Sequence, residues 1–399
     1  MAETLNSPNC ESYNNKCEGK KQDSGQNVAD RSDLRSQTLD LLRFPLALVV
    51  LIVHVFASGG ITFQGHTTTF ESYPIFTGLN RFIDAFLRGQ SVPIYYFISG
   101  YVFFLGIKIT KDAYLRKFKN RVKSLLIPYL VWNAIAVVIL AVQLNSVFNR
   151  YATSGVSFNP SLSNFLSCFW VYDGGLSGAQ LSNFTSPLNE PLWFVRNLMI
   201  VVLCTPLIHL IIRKTKVYCI MVLGTLWLIV PFIQLETYKI IDALVFFMWG
   251  AYMSINHKDM LNIFGKYFKS SVVLYVLLGL AYILAVHLDY KSIAIVIKHL
   301  NILVGLLFAY NISSFLIRNG YCKVNKFLSS ASFFIYVSHA LICRKILKLM
   351  FVFFNPTSDM SVLLVYTMAT LLTVGSLLGV FYAMRRYTPY LLKVVAGRK

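Results

Sequence analysis

Residues 39–56 read LDLLRFPLALVVLIVHVF, an apolar run that nevertheless holds Arg43 and His54. A guanidinium and an imidazole at membrane depth are costly unless they line a polar cavity, so both residues are functional candidates by default. They lie eleven positions apart. On a helix that is roughly three turns, or about 16 Å, and both side chains return to nearly the same azimuth. The spacing predicts one helix carrying an anion clamp near its start and a base deeper in.

The composition defines the surroundings of that helix. Hydrophobic residues make up 56% of the 399-residue chain and charged residues 14%, and the mean hydropathy is +0.59. An ordinary soluble domain carries about 25% charge, so the composition predicts an all-α, polytopic integral membrane protein. Ten apolar runs are long enough to be membrane spans: 41–58, 91–109, 126–146, 191–212, 217–234, 239–255, 271–287, 298–317, 329–352 and 361–384.

Basic residues orient the spans. Five Lys or Arg precede the first run, seven fall in KITKDAYLRKFKNRVK (108–123), and five close the C-terminus. The intervening connections alternate between Lys- and Arg-rich and poor. Short cytoplasmic loops carry the basic excess, so both termini are expected on the cytoplasmic side. The net charge of +20 then reflects inner loops facing anionic lipid, and no nucleic-acid partner is expected.

Residues 1–38 are polar, lack an apolar stripe, and read as a disordered cytoplasmic tail. No apolar stretch follows Met1 directly, so the first span is expected to be retained. The seven cysteines are scattered, and no pair has metal-ligand spacing, so no metal is expected. The connection at about 147–190 is the one long loop, the kind of segment that serves as a lid or binding loop. It holds Phe165, Phe169, Trp170 and Tyr172 among Asn, Ser and Gly. That mixture suits sugar stacking, and it equally suits an aromatic belt at the membrane interface. The loop ends in SPLNEPLWFVRNL (186–198), where Trp193 and Arg196 are three apart and share a helical face.

Five segments together carry a resemblance: RFPLALVVLIVH, VPIYYFISGYVFF, the basic run ending in RVKSLLIPYLVWN, EPLWFVRNL and SFFIYVSHALI. In this order, with this number of spans, the chain resembles the membrane acyltransferase-3 family over about residues 39–385. Residues 386–399 are left as a short basic cytoplasmic tail. The resemblance implies transfer of an acyl group, most often acetyl, from cytoplasmic acyl-CoA to a hydroxyl of a glycan or glycolipid at a bacterial cytoplasmic membrane. Succinyl and other acyl groups remain open.

Carried over by residue, the resemblance makes His54 the catalytic histidine, as general base or as transient acyl carrier; neutral imidazole suits both. It makes Arg43 a clamp for a CoA phosphate. The cluster between the second and third spans becomes the CoA entrance, with Lys119, Arg121 and Lys123 as ligands. The family often has two arginines three apart before the Pro-Tyr pair, here Pro128 and Tyr129. This chain has Arg121 at the first place and Ser124 at the second, which puts the second phosphate contact in question. The SGY segment is placed beside the reaction chamber, with Tyr101 lining it. Glu190 is a candidate to orient the acceptor or assist proton removal, and Trp193, Arg196 and Trp170 to bind it. Tyr336 and His339 share a face, and a hydrogen-bonding role for His339 ranks ahead of catalysis.

Competing readings remain for each site residue. Arg43 would snorkel to inner headgroups, His54 would be a hydrogen-bonded core residue, and the lysines would only set topology. For the whole chain the competitor is a transporter or flippase for a glycan intermediate, which needs a polar pathway but no CoA clamp and base on one helix.

Overall fold

A computed structural model describes residues 11–56, 61–63, 66–68, 73–106, 110–144, 161–171, 186–233 and 238–397. Residues 1–10 of the expected tail, Lys108, and much of the long loop including Tyr172 lie outside the described residues.

The fold is helical: α1 (Glu11–Phe56), α2 (Pro74–Phe86), α3 (Ser91–Phe104), α4 (Lys111–Arg121), α5 (Ile127–Leu144), α6 (Leu162–Ser167), α7 (Trp193–Leu203), α8 (Thr205–Thr215), α9 (Tyr218–Ile233), α10 (Tyr238–Ile255), α11 (Met260–Gly265), α12 (Phe268–His287), α13 (Lys291–Arg318), α14 (Lys326–Phe354), α15 (Asp359–Tyr387) and α16 (Pro389–Val395). One departure from an all-α chain is a small antiparallel hairpin, β1 (Ile61–Phe63) with β2 (His66–Thr68), in the register Ile61 opposite Thr68.

Within the described residues each expected span coincides with a helix or, for 191–212, a bent helix pair, yet fewer have the length and apolarity of a crossing. Among the described residues five helices do: 31–56 of α1, the continuous stretch Lys111–Gln143, α12, α13 and α15; the bent pair α7/α8 makes a sixth if taken as one span. The chain is therefore a multi-pass membrane protein. The shortfall has local causes. The helix α3 has 14 residues, about 21 Å of rise against a hydrocarbon core of about 30 Å. Ten of those residues are buried, so protein rather than lipid surrounds it. The run 191–212 breaks at Cys204, where α7 and α8 diverge by 64°, with Pro206 in the first turn of α8. Within α14, Arg344, Lys345 and Lys348 interrupt the apolar run.

Two contacts position the site. First, α3 and α10 cross at backbone distance: a Cβ on Gly100 would lie 2.0 Å from the Phe247 carbonyl oxygen, and one on Gly250 would lie 2.0 Å from that of Phe97. Small residues permit this approach. Second, α1 packs along α14 and α13. Helix α1 contains Pro45, which removes one backbone hydrogen bond, and close by the Tyr95 hydroxyl donates to the Arg43 carbonyl at 2.7 Å.

A distant carboxylate caps α2. Asp359 accepts from the backbone N–H of Ile75 at 2.7 Å and of Phe76 at 2.8 Å, satisfying two donors at a helix start that has no cap of its own. Asp359→Ala is expected to cost about 1–2 kcal/mol, the usual loss for a helix N-cap, read as a lower temperature of half-aggregation for the detergent-solubilised protein.

Candidate functional site

Two cavities share one side chain in their linings. The first, about 540 Å³, is lined by Asp40 and Arg43 of α1, Tyr95, Ser99 and Val102 of α3, Arg121, Ser124, Phe194 of α7, and Lys326, Ser329, Ser330 and Tyr336 of α14. The second, about 410 Å³, is lined by His54, Arg88, Pro93, Pro191, Trp193, Trp227, Lys239, Asp242, Lys298, His299 and again Tyr336. The eleven-residue spacing thus sends Arg43 and His54 into adjoining chambers, with Tyr336 common to both.

The first chamber is cationic. Arg43, Arg121 and Lys326 face it, against Asp40, which pairs with Arg43 at 2.9 Å while leaving the Arg43 side chain 44% exposed. Arg121 and Ser124 line it where the chain between α4 and α5 winds as a π-turn, Val122–Leu126, a local bulge often found at functional sites. Lys119 and Lys123 do not line it. Each is two steps from Arg121, a rotation of about 200° on a helix, which points it away. Lys117 is held elsewhere, donating to the Phe103 carbonyl at 2.8 Å at the end of α3. The start of α14, capped by Asn325, adds the positive end of a helix dipole to the same wall.

The C-terminal helix α16 closes one side of this chamber. Trp132 Nε1 donates to the Val395 carbonyl at 2.9 Å, and Ala396 and Gly397 join the lining. Gly397 has φ of 61°, and a Cβ there would meet the Ser124 carbonyl oxygen at 2.3 Å, so only glycine fits.

Helix α3 presents Tyr95, Ser99 and Val102 to the chamber, and Tyr101 faces elsewhere. Tyr101 is buried, with the Arg35 guanidinium 5.7 Å over its ring. Two steps from Ser99 place it on the opposite side of the helix.

In the second chamber His54 stands with its ring against His339, centroids 5.0 Å apart and planes at 60°. His339 is fully buried. Its Nδ1 lies 2.8 Å from the Tyr336 carbonyl, so that nitrogen donates, and its Nε2 has no hydrogen-bond partner among the described residues. Tyr336 donates its hydroxyl to the Pro191 carbonyl at 2.5 Å and stacks edge-on to Phe194. That contact pins the EPLWF segment to α14 as a wall between the chambers.

Charge is dense here too. Lys298 and Arg88 share the Asp84 carboxylate at 2.8 and 3.1 Å, Tyr282 also donates to Asp84, and Trp227 donates to Asp242. Lys239 lies 5.0 Å over the Trp193 ring. Glu190 is not in the lining; it sits 3.6 Å from Arg344.

Trp193 and Arg196 separate despite their spacing. Arg196 is buried and donates to the Trp170 carbonyl and to Asn197 Oδ1, with its guanidinium 5.3 Å over the Trp170 ring. Trp170 lines neither chamber. These two residues fasten the segment 161–171 to α7.

Several lining residues escaped the sequence reading. Asp242 lies inside the run 239–255, and the rule that flags intramembrane ionisable residues applies to it as to His54. Lys326, Ser329 and Ser330 form a polar start to the run that ends in SFFIYVSH. Arg88 and Lys298 had no comparable signal, since each stands at a run's edge.

The bundle of this multi-pass helical protein thus holds two chambers that share Tyr336 in their linings. The family model described as an acyltransferase domain matches residues 37–384, and the chain belongs to that family, the membrane acyltransferase-3 family. It is 24% identical over 375 residues to the succinoglycan biosynthesis protein ExoH of Rhizobium meliloti (strain 1021), covering 91% of this chain and 92% of that protein. No solved structure matches.

Proposed function

We propose that this acyltransferase is an O-acyltransferase that moves an acyl group, acetyl in the first instance, from cytoplasmic acyl-CoA to a hydroxyl of a cell-surface glycan or glycolipid. The observation that carries this reading is the meeting of a cationic chamber and a histidine chamber at Tyr336. Similarity to a protein of succinoglycan biosynthesis supports a glycan acceptor. The alternation of basic loops supports ten membrane-embedded helical segments in a bacterial cytoplasmic membrane, with both termini inside.

In this mechanism the CoA phosphates bind Arg43, Arg121 and Lys326, with Ser124 and the α14 serines as hydrogen-bond donors, and the thiol arm runs past Tyr336 towards His54. The acceptor lies in the second chamber against Trp193 and Trp227. As the acceptor oxygen attacks the thioester carbonyl, His54 takes the hydroxyl proton. The carbon–sulfur bond breaks, the ester forms, and the CoA thiolate takes the proton from His54. Glu190 acts at a distance by holding Arg344, and Tyr101, Trp170 and Arg196 support the walls.

The test is incubation of the purified protein in nanodiscs with acyl-labelled acetyl-CoA or succinyl-CoA and candidate glycans. Label in glycan supports transfer; none with any donor, together with movement of a labelled lipid-linked glycan across the bilayer, supports the flippase reading instead. Arg43→Ala and Arg121→Ala are each expected to raise the KM for acyl-CoA about 10- to 100-fold, from a lost charge-assisted contact of about 1.5–3 kcal/mol. The kcat at saturating donor should change less than the KM.

A further inference from the structure

We propose that His339 is a positioning residue that fixes the tautomer of His54, so that the two histidines work as a dyad. This rests on the reading of His54 as the base.

The proton positions are fixed by elimination along a short chain. A backbone carbonyl can only accept, so the Tyr336 carbonyl, 2.8 Å from His339 Nδ1, places the His339 proton on Nδ1. Neutral imidazole carries one N–H; His339 Nε2 is therefore a lone pair. That atom is completely enclosed and has no hydrogen-bond partner among the described residues, a costly condition for a buried acceptor. The His54 ring is its edge-on neighbour.

The separation fits such a bond. Two imidazoles joined by N–H···N, with about 2.9 Å between nitrogens, have ring centres about 5 Å apart, and these centroids are 5.0 Å apart. His54 then gives its proton to His339 Nε2 as a hydrogen-bond donor, and its other nitrogen is left as a lone pair. Because His54 lines the second chamber and His339 does not, that lone pair is the one available to the acceptor hydroxyl. The imidazolium formed by proton abstraction keeps the same bond. A neutral partner sets the tautomer without adding a charge to a chamber already holding Arg88, Lys239 and Lys298.

Three proteins are compared: wild type, His339→Met, which fills the space without an acceptor at the Nε2 place, and His339→Gln, whose side-chain oxygen restores one. Imidazole ¹⁵N spectra in nanodiscs, with His54 assigned by its loss in His54→Gln, should show one tautomer in wild type and His339→Gln. A mixture of tautomers is expected in His339→Met. In the transfer assay His339→Met should lose about 10- to 100-fold in kcat with the donor KM unchanged, and His339→Gln should recover to within about threefold of wild type, since orientation of a general base is a kcat effect. Mixed His54 tautomers in wild type, or one tautomer in all three proteins, overturns the dyad. So does equal loss of kcat in both variants. Absence of transfer in wild type refutes the O-acyltransferase reading and leaves the spectra to decide the hydrogen bond by themselves.

Discussion

His54→Ala is expected to lower acyl transfer about 10³-fold, within the range of about 10² to 10⁴ that a positioned acid–base group contributes, while elution profile and thermal stability stay near those of wild type. The half-buried ring borders an existing chamber, so its removal enlarges that chamber rather than opening a new void in a packed core. His54→Gln keeps the volume and a hydrogen-bond donor but has no basic nitrogen, and it should fall as far. If both variants transfer label like wild type, another group carries the reaction. A second measurement separates base from acyl carrier: wild-type protein is given labelled acyl-CoA without acceptor, then denatured under mild conditions. No label retained by the protein supports the base; label that hydroxylamine removes, and that is absent from His54→Ala, makes His54 the carrier.

Gly100→Ala and Gly250→Ala are expected to destabilise the bundle by about 3 kcal/mol each, at the upper end for overpacked cores. Both prevent the 2.0 Å approach to a carbonyl oxygen, and the atom in the way is backbone, which cannot rotate aside. The control is Gly379→Ala on α15, which has nothing within 4 Å of its added methyl group. There the change should stabilise by up to about 1 kcal/mol through helix propensity alone. Unfolding of the solubilised protein, followed by far-UV circular dichroism in increasing denaturant, should therefore give opposite signs for the same chemical substitution. Equal midpoints would mean that α3 and α10 do not cross at the distance described. Because α3 presents Tyr95, Ser99 and Val102 to the first chamber, the two destabilised variants should also lose activity under conditions where they remain folded.

The helical membrane class was legible in composition, since apolar runs at this density leave few alternatives. That Arg43 and His54 stand on one helix was legible in the apolar run that holds them. Apolarity by itself over-counted the full-length crossings: α3 is as apolar as a lipid-facing helix, yet it is short and wrapped in protein, and hydropathy does not distinguish lipid from a protein interior. Position along a motif also misassigned neighbours. Tyr101 was expected to line the chamber because SGY lies there, but two helical steps turn it to Arg35. Among the basic residues of 108–123, charge alone did not separate Arg121, which reaches the chamber, from Lys119 and Lys123, which do not; the helical azimuth, two steps away in each case, makes that selection.

The residues of the chain alone therefore determined the solvent this protein folds in, the helix that carries the two polar residues, and the family it resembles, because these depend on local pattern and on motif order. Only the tertiary structure decided that Arg43 and His54 occupy separate chambers, that Tyr336 stands between them, that His339 backs His54, and that Arg88, Lys239, Asp242, Lys298 and Lys326 join the walls. Those residues come from helices far apart in the sequence, and which faces meet is set by packing at close crossings such as Gly100 against Phe247, a property of pairs of helices that no single helix encodes.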